Sequence, residues 1–222
     1  MMASSQHLYI DPALQYYSVR DLLIGVHFVE QDVKRALELA STCQHPNAQW
    51  LTRIFAGKNV TTRGEAKDVF LQHLLEDACD SRALCFAALL STPVDEVLLR
   101  KSAELGNAFA QAELADRPET SLEDAFALAL RSAAQNERNA HYWLAYCLQI
   151  GRGCEEDLLK SRKHFLIAAT MQEPRAMHYY GKICLANCSV RWLAASTRAA
   201  SSKACSSPAF ASAAARLCCS IK

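Results

Sequence analysis

Residues 140–170 read AHYWLAYCLQIGRGCEEDLLKSRKHFLIAAT and carry the pattern that decides the fold. An apolar stripe at helical spacing runs through the first half of this stretch, formed by Ala140, Leu144, Ala145 and Leu148. The stripe ends at Gly151, and glycine adopts without strain the left-handed conformation that closes many helices. The stretch therefore predicts a helix that ends at this glycine.

A second helix is predicted to follow the turn, which Gly153 continues. Acidic side chains favour the positive end of a helix dipole, and three of them precede this helix: Glu155, Glu156 and Asp157. Along the helix we expect the buried side to carry Leu159, Phe165 and Ala169. The two helices together form an antiparallel hairpin.

The hairpin pattern repeats along the chain, with an alanine that recurs at the same point of each copy. The recurring residues are Ala48, Ala83, Ala110, Ala140 and Ala176, at spacings of 35, 27, 30 and 36 residues. The spacings vary because loops vary more than helices do. Pro46 and Pro174 each stand two residues before such an alanine, where proline marks a helix start. Repetition of this kind predicts an all-α, superhelical solenoid of antiparallel helix pairs.

Composition separates the chain into unlike parts. Of 222 residues, 51% are hydrophobic, the last acidic residue is Glu173, and seven basic residues follow it. We expect an N-terminal extension over residues 1–18, a repeat domain over 19–186, and a basic tail rich in Ala, Ser and Cys over 187–222. Such a tail buries too little apolar area to offset the entropy of ordering, so disorder or a loosely held helix is expected, or an aberrant end to the chain.

The sequence predicts a cytoplasmic protein without a membrane segment. The first twelve residues hold no stretch apolar enough for a signal peptide, and no window reaches the roughly 18 apolar residues that span a bilayer. Seven basic residues spread over nearly fifty positions are too sparse for a nucleic-acid stripe, so no nucleic-acid partner is expected. Cysteines of a reducing compartment that lie singly are expected to be small apolar side chains, as for Cys43, Cys79, Cys85, Cys147 and Cys154.

No motif in the sequence predicts catalysis, a cofactor or a metal ion. Gly57 and Lys58 lack the earlier glycine of a phosphate-binding loop. A polar cluster, formed by His73, Glu76, Asp77, Cys79 and Asp80, lacks the ligand spacing of a zinc site and is interpreted as a helix end. Five further cysteines also lack the spacing of a common zinc site: Cys184, Cys188, Cys205, Cys218 and Cys219. Three histidines are expected to lie on helices without converging on a nucleophile, namely His141, His164 and His178.

At residues 140–169 the sequence resembles the Sel-one-like repeat, a relative of the tetratricopeptide repeat. The matching residues are Ala140, Leu144, Leu148, Gly151, Gly153, Asp157, Lys160, Phe165, Ala168 and Ala169. Three positions depart from the family pattern, since Ala145 stands for Gly, Cys154 for Val and Ser161 for Ala. A weaker copy is similar at Asp32, Lys34, Arg35 and Ala36, followed by a loop with Gly57 and Val60. The resemblance implies a right-handed superhelix that serves as a protein-binding adaptor or scaffold.

A partner surface is expected on the first helix of each hairpin, on the face opposite the Ala–Leu stripe. In the best copy this face carries Tyr142, Tyr146 and Gln149, and the next copy adds His178 and Lys182. Tyrosine rings are favoured interface anchors because they bury a large area at little entropic cost. The alternative is that Tyr142 and Trp143 pack between adjacent hairpins.

Function is predicted as non-enzymatic binding of a partner protein or peptide by a monomer. One alternative is a regulatory subunit or small hydrolase of the Sel-one-like class, which a histidine meeting a cysteine or serine in one cleft would favour. Another is a fragment of a longer enzyme or zinc-binding protein.

Overall fold

The computed structural model describes residues 11–25 and 29–185, which form eleven helices and no strand. In chain order they are α1 (Pro12–Ile24), α2 (Val33–Thr42), α3 (Pro46–Ile54), α4 (Arg63–Glu76), α5 (Ser81–Leu90), α6 (Glu96–Glu104), α7 (Ala108–Ala115), α8 (Leu122–Ala133), α9 (Arg138–Ile150), α10 (Leu158–Thr170) and α11 (174–185). Odd-numbered helices are the first helices of the pairs, and even-numbered helices are the second helices. Each second helix packs on a first helix before or after it, as a solenoid requires.

The repeat predicted from the recurring alanine is confirmed in the first helices. The alanine is the third residue of α3, α5, α7, α9 and α11, and its side chain is 0% exposed in every case: Ala48, Ala83, Ala110, Ala140 and Ala176. A methyl group at this position lets the neighbouring helix approach closely. The recurrence of alanine at this position is therefore a packing requirement.

The second helices follow a rule of their own. Each begins after a capping residue whose side chain accepts a hydrogen bond from a backbone N–H of the first turn: Asp32, Thr62, Asp95, Ser121 and Asp157. Four and eight residues after the cap the side chains are buried, as with Ser161 and Phe165 in α10. This spacing fixes one face of the helix against its partner.

The turn between α9 and α10 confirms the prediction at Gly151, which has φ of 68° and ends α9. Gly153 also has positive φ, and a Cβ there would collide with the carbonyl oxygen of Leu122 in the preceding pair. The prediction that α10 buries Leu159 is wrong, since this side chain is 77% exposed. The reason is that Ser161, Phe165 and Ala168 turn inward, which places Leu159 on the outer side of the helix.

Helix α1 begins at Pro12, so the predicted domain boundary at residue 19 falls inside a helix. The Asp11 side chain caps this helix by accepting a hydrogen bond from the Ala13 N–H. Tyr16 and Tyr17 are 9% exposed and join the large apolar core that extends from α1 to α7. The first pair of the solenoid thus starts earlier than its eroded sequence indicates.

Several predictions fall on residues outside the described ranges. These are the tail over 187–222 and four of its cysteines, Cys188, Cys205, Cys218 and Cys219. Within residues 11–25 and 29–185, no helix combines the length and the apolarity needed to cross a bilayer.

Candidate functional site

Tyr142 lies between helix pairs and is 6% exposed. Its ring is 5.9 Å from the ring of Phe165 on α10 and 6.0 Å from that of Tyr179 on α11. The Arg175 guanidinium lies over the ring at 4.4 Å. Burial raises the pKa of Tyr142 to about 12. The geometry is that of the packing alternative, in which this tyrosine joins adjacent pairs.

The other predicted residues lie nearer the surface. Tyr146 and Gln149 are half-buried on α9, and His178 and Lys182 are exposed on α11. Trp143 is also half-buried on α9, with its ring 5.8 Å from that of Tyr146 and edge-on to it. We call the set of Trp143, Tyr146, Gln149, His178 and Lys182 the α9–α11 surface.

A helix inside a solenoid has two buried sides, and this explains the position of Tyr142. The stripe of Ala140, Leu144 and Leu148 faces the preceding pair, with Ala112 and Ala129 in the same apolar cluster. Tyr142 and Ala145 lie in a different cluster, with Phe165 of α10 and with Ala176 of α11 in the following pair. The face opposite the first stripe is consequently a second packing face over much of its width.

A buried network of charged side chains, which sequence reasoning missed, joins α1 to the start of α9. We call it the inner network. Arg20 of α1 donates to both carboxylate oxygens of Glu137 at 2.9 and 3.0 Å, and Arg138 donates to both oxygens of Asp21 at 2.8 Å. Arg20 also stacks over the Phe109 ring of α7 at 3.8 Å. The space between α1 and the starts of α7 and α9 is therefore filled by side chains.

The polar cluster at the end of α4 brings His73, Asp77 and Asp80 together, with one ligand atom of each within 4.8 Å of the others. Asp80 is already committed, because its carboxylate accepts hydrogen bonds from Trp50 Nε1 at 3.0 Å and from Arg82 at 3.3 Å. Burial raises the pKa of Asp80, but the hydrogen bonds and charge of Arg82 outweigh this and the net pKa is lowered. A cation would have to displace Arg82 and the indole N–H, so the donor set fits the cap of α5 better than a metal ion.

Three cysteines in the described part of the chain, Cys85, Cys147 and Cys154, lie where a thiolate is disfavoured. Cys43, Cys85 and Cys147 are buried as predicted, whereas Cys79 is exposed and Cys154 is half-buried. Burial raises the pKa of the Cys85 thiol strongly, raises that of Cys147 to about 11, and raises that of Cys154. Thiolates, which are the reactive species, are therefore disfavoured at these three sites.

Two of the histidines predicted to lie on helices, His141 and His164, contact each other between α9 and α10. Nδ1 of His141 lies 3.1 Å from Nδ1 of His164, and the rings stack with their centroids 5.4 Å apart. Burial, and secondarily His164, lowers the pKa of His141 to about 4, while Glu137 opposes the change. Burial also lowers the pKa of His164. The sequence feature that could have indicated this pair is the presence of one histidine on each helix of the same hairpin.

The architecture resembles that of known proteins. A protective antigen present in uropathogenic Escherichia coli strains, c5321, displays an SLR fold and aligns with a TM-score of 0.50 and 22% identity over 78% of this chain and 41% of its own. A Sel1 repeat protein from Oxalobacter formigenes aligns with a TM-score of 0.47 and 18% identity over 78% of this chain and 56% of its own. No family model and no curated protein matches the sequence. The likeness to c5321 confirms the predicted fold, a solenoid of Sel-one-like helix pairs.

Proposed function

We propose that the protein is a non-enzymatic adaptor that binds a partner protein or peptide through the α9–α11 surface. The observation that carries this proposal is a pair of half-buried, mutually contacting rings on α9, Trp143 and Tyr146. Helix α9 shares an apolar cluster with α11, which carries two exposed polar side chains, His178 and Lys182. Aromatic anchors with a polar rim are the usual composition of a protein interface. A monomer in the cytoplasm is part of the same proposal.

The rings of the α9–α11 surface are held in place before any partner arrives. Trp143 and Tyr146 contact each other edge-on, and the Arg175 guanidinium lies 5.2 Å from the Trp143 ring centre. Lys182 lies 5.8 Å from the ring of Tyr179. Side chains that are already ordered lose little entropy on binding, which favours affinity.

The histidine–carboxylate pair at His73 and Asp80 supports the non-enzymatic part of the proposal. Its carboxylate holds Trp50 and Arg82 and caps α5, so its hydrogen-bonding capacity is spent on structure. In the described ranges, the histidines that take part in a hydrogen bond bind a carboxylate, a backbone N–H or another histidine.

The proposal is tested by site-directed photocrosslinking in the full chain. A photoreactive amino acid is placed at position 178 in the α9–α11 surface, or at position 97 in α6, where the native valine is 77% exposed. We expect a defined partner to be captured from position 178 and not from position 97, and capture to fall at least about tenfold with Tyr146→Ala, a loss of about 1.4 kcal/mol. Equal capture from both positions, or capture that Tyr146→Ala leaves unchanged in a chain of unaltered helix content, would remove this surface as the binding site.

A further inference from the structure

A single hydrogen-bond position lies between the two rings of the His141–His164 pair. Their Nδ1 atoms are 3.1 Å apart, which is the length of a single hydrogen bond. Only one of the two nitrogens can carry a proton there, since two N–H groups cannot point at each other at that distance. The pair therefore has one shared site and two outer nitrogens.

Protonation of the outer nitrogen of His141, Nε2, is unfavourable. His141 is 5% exposed, and its Nε2 is buried without a hydrogen-bond partner in the described part of the chain. A buried N–H without an acceptor is costlier than a bare imidazole nitrogen in the same place, because it loses a strong hydrogen bond to water. In the neutral pair His141 Nδ1–H consequently donates to His164, and His164 carries its hydrogen on the half-buried outer Nε2.

Adding one proton to this pair has only one outcome. The space between the Nδ1 atoms already holds a hydrogen, and the outer nitrogen of His164 holds another. The third must go to Nε2 of His141, which leaves a buried N–H unpaired while the pair carries one positive charge. Acid therefore forces either that unpaired N–H or separation of the two rings.

Few charges act on the pair to offset this. His164 reaches His141 from α10, and Glu137 reaches it from the start of α9. The carboxylate of Glu137 accepts from Arg20 at both oxygens, and Nε2 of His141 makes no hydrogen bond to it. Burial alone acts on His164.

We propose that the His141–His164 pair is a pH-sensitive latch that holds α10 to α9 while both rings are neutral and opens when the pair takes up a proton. Opening separates the helices whose contact also includes Phe165 against Tyr142 and the Ser161 hydroxyl on the Ala145 carbonyl oxygen. The latch depends on the geometry of α9 and α10 and is independent of the proposed function.

The latch is tested by amide hydrogen exchange of the full chain at pH 7 and pH 5, corrected for intrinsic exchange rates. α6 (Glu96–Glu104) contains no histidine and is the internal reference. With a pKa of about 4 for His141 in the closed pair and 6.5 in the open one, α10 should open about twentyfold more at pH 5 than at pH 7, relative to α6. Equal relative protection of α10 at the two pH values in the unmodified chain would overturn the proposal.

Two variants separate the latch from general acid sensitivity. His141→Gln retains an N–H donor for His164 Nδ1 and removes the buried titrating nitrogen, so the pH-dependent rise should shrink to less than about threefold. His178→Gln changes an exposed histidine of α11 and should leave the rise intact. Because the readout is a ratio between two pH values, it stands even where His141→Gln lowers the overall protection of α10. A full rise in His141→Gln, or its loss in His178→Gln, contradicts the latch.

Discussion

The surroundings of Glu113, which include Arg20 of the inner network, change the pKa of its carboxyl group. It accepts a hydrogen bond from Asn139 Nδ2 at 3.1 Å. Burial raises the pKa of Glu113 to about 6, the positive charge of Arg20 opposes the rise, and Asp116 adds to it. Because the folded state holds this proton more tightly than the unfolded chain does, ionised Glu113 reduces stability at neutral pH, and that loss disappears as the pH falls below about 6.

Replacing Glu113 with glutamine is therefore expected to stabilise the protein at pH 7.5. The amide keeps an acceptor for Asn139 and removes the charge, so the free energy of unfolding should rise by about 1 kcal/mol. At pH 4.5 the gain over the unmodified chain should vanish. Urea unfolding at both pH values measures this, with the exposed Glu104→Gln as the matched control. A less stable Glu113→Gln at pH 7.5 would mean that the attraction to Arg20 outweighs the cost of burial.

Residues with local roles were predictable, whereas those of the inner network were not. Gly151 ends a helix and Asp157 caps one, and both do so through residues only a few positions away, so the sequence around them predicts both. Arg20 and Glu137 are separated by 117 positions and meet only because the solenoid folds α1 against α9. Spacing within one repeat carries no information about such a pair.

At the scale of elements, the repeat pattern predicted the helix pairs and one packing face of each first helix. It left the second face undecided, since Tyr142 on a helix considered alone fits either an exposed interface anchor or a residue packed between adjacent hairpins. The first pair was also missed in part, because α1 has Leu14 as its third residue, the position where the later first helices have alanine. A side chain that packs against a neighbouring pair can vary as long as its neighbour compensates, and this erodes the pattern.

Three glycines, one in α4 and two in the turn between α9 and α10, give a graded prediction. Gly64 lies in α4 with open space around an added Cβ, so Gly64→Ala should stabilise the chain by about 0.5 kcal/mol through helix propensity. Gly151→Ala should cost about 1 kcal/mol, because φ of 68° is strained for alanine. Gly153→Ala should cost about 3 kcal/mol, since strain is joined by a collision with the Leu122 carbonyl oxygen.

Thermal unfolding of the three glycine variants measures this order. The collision at Gly153 is a contact between pairs, so its variant should also weaken the packing of α8 on α9. If Gly153→Ala is no worse than Gly151→Ala, the approach of the turn to Leu122 is looser than the structure shows.

At the scale of the whole molecule, the charge network makes this solenoid more than a stack of neighbours. In most repeat proteins each unit contacts only the adjacent units, so the ends unfold independently. Here Arg138 at the start of α9 pairs with Asp21 of α1 at 2.8 Å and lies 3.4 Å from Glu173 just before α11. Glu173 in turn accepts from Arg175, which pairs with Asp116 at the end of α7. The first pair is thus linked to the fourth, fifth and sixth.

Removing Arg138 should weaken the link between α1 and the later pairs, which then depends on the Arg20–Glu137 pair. Arg138→Met leaves Asp21 with only the 3.9 Å contact to Arg20 as an ion pair in the described part of the chain, and breaking a buried pair on one side costs about 3 kcal/mol. Amide exchange in α1 should accelerate along with that in α9, although α1 carries no substitution. The control is Lys160→Met, which removes an exposed ion pair with Asp157. It should change the opening free energy measured by exchange in α1 and in α9 by no more than about 0.5 kcal/mol. If exchange in α1 stays at its original rate in Arg138→Met while α9 loosens, the ends are independent and the long-range pairs contribute no cooperativity.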